Sequence, residues 1–269
     1  MFELDFAARV DRGLVRETNQ DVARVIPRLG LALVADGMGG HDHGDVASRT
    51  AADVFEQSFT DLGGPGANVR ETLERLERSV QEANQYVGQH PATGAGPGRM
   101  GTTLVAAVFA HGHAIIGNVG DSRCYLLRYG KLEQLTLDHT LAAHLEQMGG
   151  GGPPEGGVPL DQWAHVLTRC LNGDDGVTAD TRVVRCEPGD VFLLCSDGLW
   201  GSASEHVVMG ILGAAQDAEE ACQRLVGAAC AAGGADNIGV AVARLVPLAL
   251  HLSDPSWQST RPSDPPLAT

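Results

Sequence analysis

A chain of 269 residues that is 43% hydrophobic and 20% charged can bury a sizeable core, which excludes a disordered acidic polymer. Its 19 basic and 34 acidic side chains leave a formal charge of −15, which argues against nucleic-acid binding through clustered cations, and Lys131 is the single candidate for lysine chemistry. The excess of carboxylate leaves room for a site that takes hard divalent cations, whose ligands are oxygens.

From the N-terminus, residues 4–10 and 22–26 have strand character, and the apolar run at 29–35 is long enough for a buried strand. That run leads directly into Asp36-Gly37-Met38-Gly39-Gly40-His41. Apolar residues at helical spacing predict helices over 45–59 and 68–89, with Val46, Val54 and Phe55 on one stripe and Leu73, Leu76 and Val80 on the other. After a Gly/Pro loop at 91–98 the pattern turns to strands, 102–110 and 114–119 around His111-Gly112-His113, then 123–128 and 132–136 around Tyr129-Gly130-Lys131. Both pairs read as hairpins. A short helix over 141–148 precedes a Gly/Pro-rich stretch at 149–159, which is too flexible for a core. Strands at 182–186 and 191–195, a helix over about 218–232 and a strand at 238–246 follow. The Pro-, Ser- and Asp-rich stretch from 253 onward reads as a disordered tail.

The six cysteines have irregular spacing and no C-x-x-C pair, as expected of reduced core residues in a cytoplasmic protein. The first residues lack a basic region followed by an apolar run, and no apolar stretch is long enough to span a bilayer.

Chemistry concentrates in the aspartates. Asp36 and Asp197 each end an apolar run and precede Gly, and Asp236 follows a small-residue loop and precedes a strand. A carboxylate at a strand end stands on a rigid edge open to solvent, and the neighbouring Gly lets its carbonyl approach an ion. One Asp-Gly pair alone is better explained as a turn. Two acids ending apolar runs, with a third before a strand, shift the reading toward a metal site; two further segments are Gly120-Asp121-Ser122-Arg123 between two strands and Arg16-Glu17-Thr18-Asn19-Gln20-Asp21 near the N-terminus.

These segments, with Gly101-Thr102-Thr103, Leu135-Thr136-Leu137-Asp138-His139-Thr140, Cys195-Ser196-Asp197-Gly198-Leu199-Trp200 and Asp236-Asn237-Ile238, occur in the order of the metal-dependent Ser/Thr protein phosphatases of the 2C type. The chain resembles that family, in its bacterial branch, over about residues 5–246. The resemblance implies an α+β fold, a four-layer α-β-β-α sandwich of two antiparallel sheets flanked by helices. It implies a catalytic domain at 1–248 with a flap at about 141–168, leaving 249–269 as the tail. It also implies a binuclear Mn²⁺ or Mg²⁺ centre: Asp36 bridges the ions, the Gly37 carbonyl binds one, Asp197 and Asp236 hold the other, and Asp121 helps bind a third, weaker ion. Asp21 is expected in or next to the ligand set, and Gln20 replaces the Glu of many members.

By the same resemblance a bridging hydroxide attacks the phosphorus of phosphoserine or phosphothreonine, and Arg16 binds the phosphate. Met38 stands where animal members carry the proton-donating histidine, so His41 is the nearest substitute, with His43 and His139 behind it. The implied partners are phosphorylated Ser/Thr proteins, including a Ser/Thr kinase, acted on by a monomer.

Competing readings are a phosphatase of small phosphoesters and a phosphatase-like regulatory domain; the intact Asp36, Asp197 and Asp236 argue against the latter. A cysteine phosphatase needs Arg six positions after its Cys, and those positions here are Gly130, Gly176, Phe192, Gly201, Ala228 and Asp236. The metalloprotease H-E-x-x-H is also absent.

Overall fold

The computed structural model describes residues 2–38, 43–89, 100–148, 163–164 and 166–248. His41, the 149–159 stretch with most of the flap, and the 249–269 tail lie outside the described residues.

Period-2 alternation in the strands builds two antiparallel sheets. One sheet runs β1 (Phe2–Asp11), β11 (Ile238–Pro247), β10 (Val191–Cys195), β7 (Arg123–Arg128), β8 (Lys131–Gln134). The other runs β2 (Asp21–Ile26), β3 (Leu31–Met38), β5 (Leu104–Ala110), β6 (His113–Val119), β9 (Asp180–Arg185), with the two-residue β4 (Gly101–Thr102) also on β3. Alternate residues of the central strands face inward and fill the space between the sheets: Ala32 and Val34, Phe192 and Leu194, Ala241 and Ala243. Phe109 is the hub of this layer, edge-on to Phe192 at 5.1 Å and to Phe6 at 5.7 Å between ring centroids.

The residues between them point the other way. Leu31, Leu33 and Ala35 meet α1 (Gly44–Asp61) and α2 (Val69–Gln89), while Leu193, Cys195 and Val242 meet α5 (Glu205–Ala214) and α6 (Ala218–Ala231). The four-layer sandwich expected from the sequence is therefore present. In chain order α3 (Leu141–Gln147) follows β8 and the single turn α4 (Asp197–Trp200) follows β10. All six cysteines are free thiols, and among the described residues no helix is long and apolar enough to cross a membrane.

Three details depart from the sequence reading. The hairpins turn on two residues, His111-Gly112 (φ 54° and 71°) and Tyr129-Gly130 (φ 52° and 74°), so His113 and Lys131 already belong to strands. The segment Glu205–Ala214 is helical although no stripe marks it: apolar residues lie almost all round, and Gly210 and Gly213 interrupt them. Its start is set instead by Ser204, whose hydroxyl accepts from the Val207 N–H.

The third departure is a break in the predicted strand at 102–110. β4 and β5 pair with β3 in one continuous register, Gly37↔Thr102 and Val34↔Val105, interrupted where Thr103 faces Asp36. There the Asp36 N–H donates to the Thr103 hydroxyl at 2.9 Å in place of a backbone carbonyl.

The inter-sheet layer should carry much of the stability. Phe192→Ala is expected to lower the unfolding free energy by about 3–5 kcal/mol, read from urea denaturation; a loss under about 1 kcal/mol would show that the layer repacks freely.

Candidate metal centre

Both sheets present strand ends at one edge of the sandwich. β3 delivers Asp36 and Gly37, β10 ends just before Ser196 and Asp197, β11 begins just after Asp236 and Asn237, and the connection from β6 to β7 carries Asp121 from one sheet to the other. A cleft of about 820 Å³ opens there, and its lining includes Arg16, Asp36, Gly37, Asp121, Asp197 and Asp236. The structure thus brings together residues from five separate segments. Asp21 lies behind this lining, 5% exposed and directly across the β2–β3 ladder from Asp36.

Backbone contacts explain both Asp-Gly pairs. A Cβ on Gly37 would stand 1.9 Å from the Gly44 carbonyl oxygen, and one on Gly198 1.9 Å from that of Asn237. No side chain fits either place, so the two aspartates are followed by close backbone crossings.

Hydroxyls and one amide fix the acids. Thr102 Oγ1 donates to the Asp36 carbonyl, and the hydroxyls of Thr103 and Ser122 are hydrogen bonded at 2.7 Å across the two sheets. Ser196 Oγ donates to Asp21 Oδ2 at 2.6 Å and accepts from the Gly239 N–H at 2.8 Å. Asn237 accepts from the Gln20 N–H and donates to the carbonyls of Arg12 and Thr18, each at 2.9 Å, which holds the loop carrying Arg16 against β11. The sequence reading quoted these residues within its motifs without assigning them work.

Electrostatics show what the site lacks. Burial pushes the Asp36 carboxyl well above the usual carboxylate range, and the neighbouring charge of Asp21 pushes it further. Asp21 is raised for the same first reason, against the opposing bond from Ser196. Asp121 is pushed up to about 7 by burial and then by Asp197. Asp21 Oδ1 is buried with no hydrogen-bond partner. Arg16 Nη2 donates to Asp236 Oδ2 at 2.7 Å, a cation at bonding distance from the set. That bond raises the Arg16 pKa further.

The donor set is all oxygen, anionic and short of positive charge, which fits Mg²⁺ or Mn²⁺. Among the described residues no three His, Cys, Asp or Glu side chains close on one point. An ion here would accordingly complete its shell with water and the Gly37 carbonyl, as such cations commonly do.

Of the histidines weighed from sequence, His43 is exposed beside the start of α1. His139 is buried, takes the Gly120 N–H on Nδ1 at 3.0 Å, and places Nε2 3.2 Å from Asp180. Its imidazole therefore carries its proton on Nε2, and burial lowers its pKa. His139 braces the Asp121 loop and is not free to protonate a leaving group.

Comparison with known proteins agrees with this geometry. Residues 15–209 match the family described as protein phosphatase 2C. Serine/threonine phosphatase stp of Listeria welshimeri is 35% identical over 236 residues, covering 86% of this chain and 92% of that protein. The PPM Ser-Thr phosphatase MsPP from Mycobacterium smegmatis, solved with cacodylate, has a TM-score of 0.74 and 34% identity, covering 89% of this chain and 97% of that one. The catalytic domain of serine threonine protein phosphatase PstP, solved with two manganese ions, has a TM-score of 0.76 and 35% identity, covering 91% and 99%.

Asp21 gives a direct test of the buried charge. A carboxyl whose folded pKa is raised withdraws stability as pH climbs from the unfolded value through the folded one. In chelator at about pH 8, Asp21→Asn should therefore melt above the parent, with the gap closing toward about pH 5. With millimolar Mn²⁺ the order should reverse or the gap shrink. A variant that melts below the parent in chelator at both pH values would show that the Asp21 charge is satisfied without metal.

Proposed function

Because this chain belongs to the protein phosphatase 2C family, we propose that it hydrolyses phosphoserine and phosphothreonine in proteins, with two Mn²⁺ or Mg²⁺ ions held at the sandwich edge. The observation that carries this is the convergence of Asp36, Asp197, Asp236 and Arg16 on one cleft from segments far apart in sequence. Asp36 and the Gly37 carbonyl would serve one ion, Asp197 and Asp236 the other, and Asp121 a weaker third, with water filling the remaining positions. When bound, the ions supply an activated water and offset charge on the phosphoryl oxygens.

The chain's own residues do the rest. Arg16 is half-exposed at the cleft and offers a planar fork that matches two phosphoryl oxygens. Its bond to Asp236 marks that carboxylate as one that accepts a cation, and the Arg16 fork would be free for the phosphate where Asp236 served an ion. Thr103 and Ser196 hold the Asp36 backbone and the Asp21 carboxylate, so the acids keep their places while charge changes between them. Asp21 acts from behind Asp36, its free oxygen available to a water in the ligand set. His41 remains the proposed proton donor to the departing serine or threonine. Residues at about 141–168 are proposed as a flap that shapes access, and the chain as a cytoplasmic monomer whose phosphoprotein substrates include a Ser/Thr kinase.

Hydrolysis of a phosphothreonine peptide should require Mn²⁺ or Mg²⁺, stop on chelation, and fall at least about a hundredfold in Asp36→Asn. Activity that survives chelation would remove the two-metal reading. Turnover of a chromogenic phosphoester without turnover of the peptide would favour a small-molecule substrate instead.

A further inference from the structure

A half-buried cation stands behind Asp121 that no step of the proposed reaction uses. Arg123 opens β7, with its side chain 18% exposed and that of its partner Asp138 12% exposed. The guanidinium forks onto Asp138, Nε to Oδ1 at 3.0 Å and Nη2 to Oδ2 at 2.6 Å, and Nη1 donates to the Tyr125 hydroxyl at 2.8 Å. Asp138 also accepts from Gln134 Nε2 at 3.0 Å, so the ion pair is well satisfied. One edge of the guanidinium is thereby anchored while its face lies over the Trp200 ring, 3.7 Å from the centroid.

Trp200 closes α4, the turn that begins at Asp197. Its Nε1–H donates to the backbone carbonyl of Asp121 at 3.1 Å. Asp121 lies in the connection that crosses between the sheets, where no ladder holds it, and its carboxylate lines the cleft with that of Asp197. The stacked indole ties that loop to the turn carrying Asp197. If the stack slides, the separation of the two carboxylates changes.

We propose that Arg123 and Trp200 are positioning residues: the Asp138–Arg123–Trp200 stack fixes the Asp121 carboxylate relative to Asp197 and so sets how tightly the weakest divalent ion is held. This rests on the reading of Asp121 as an ion ligand, so the test separates the two. Trp200→Phe keeps a flat ring under the guanidinium and removes the N–H; Arg123→Lys keeps the charge and removes the fork and the stack. Asp121→Asn is the reference.

Bound Mn²⁺ is measured by electron paramagnetic resonance on the full chelator-treated chain, beside the Mn²⁺ dependence of phosphothreonine-peptide hydrolysis. Trp200→Phe should raise the Mn²⁺ concentration for half-saturation of the weakest ion about fivefold to tenfold, the size of one lost hydrogen bond. Arg123→Lys should shift it the same way, Asp121→Asn further, and Trp200→Phe should regain activity as Mn²⁺ is raised. A Trp200→Phe curve that superimposes on the parent while Asp121→Asn shifts overturns the positioning role and leaves Asp121 as a ligand. Activity lost at every Mn²⁺ concentration with an unshifted binding curve also overturns it, because simple packing would give that. An unshifted Asp121→Asn curve overturns both readings. If Arg123→Lys fails to fold, Trp200→Phe still decides.

Discussion

Like charges gathered at the open edge of the sandwich are the constraint on which the rest of the structure depends. Asp21 and Asp36 face each other across one ladder, and Asp121, Asp197 and Asp236 open on the same cleft. Uncompensated carboxylates this close repel, and buried ones also lose their hydration. A protein can keep such a cluster only if the backbone holds the acids in place and cations reach them. The first condition is met by hydroxyls that replace ordinary ladder partners, most clearly where Thr103 takes the Asp36 N–H. Toward the second, Arg16 contributes a bond to Asp236.

The two-sheet architecture makes this arrangement available. A single sheet would offer neighbouring strand ends in one row, whereas stacked sheets offer two facing rows, and the site draws on both. Ser122 with Thr103, and Ser196 with Asp21, bond between the sheets at this edge, so the inter-sheet distance is set locally by short hydroxyl bonds and globally by the Phe109–Phe192 layer. Close packing of that layer transmits little slack to the edge. Rigidity at the site is in this sense a property of the core as well as of the motifs.

Much of this was legible in the chain because the central strands announce themselves. The apolar run into Asp36-Gly37 and the run into Asp197-Gly198 each identified a strand and the acid at its end, and the helical stripes over α1 and α2 marked the outer layer. Arg16 was different: it sits in a polar loop with no periodicity, and its partner Asp236 lies 220 positions away, so only family resemblance singled it out. The hydroxyl partners were illegible for the same physical reason. Asp21 and Ser196 are 175 residues apart, and their contact follows from which strands neighbour which, information that local pattern does not contain. α5 escaped because an almost uniformly apolar segment interrupted by glycine has no face to detect.

Charge compensation by divalent cations is best tested by the protons it displaces. Raised carboxyl pKa values mean that the metal-free cluster holds protons near neutral pH, which a bound cation must release. Chelator-treated protein is titrated with Mn²⁺ by calorimetry at about pH 6.5, in buffers of different ionisation enthalpy. The expected result is saturable binding whose apparent enthalpy depends linearly on buffer ionisation, with about one proton or more released. No saturable binding, or binding without proton release, would contradict a cluster built around missing positive charge.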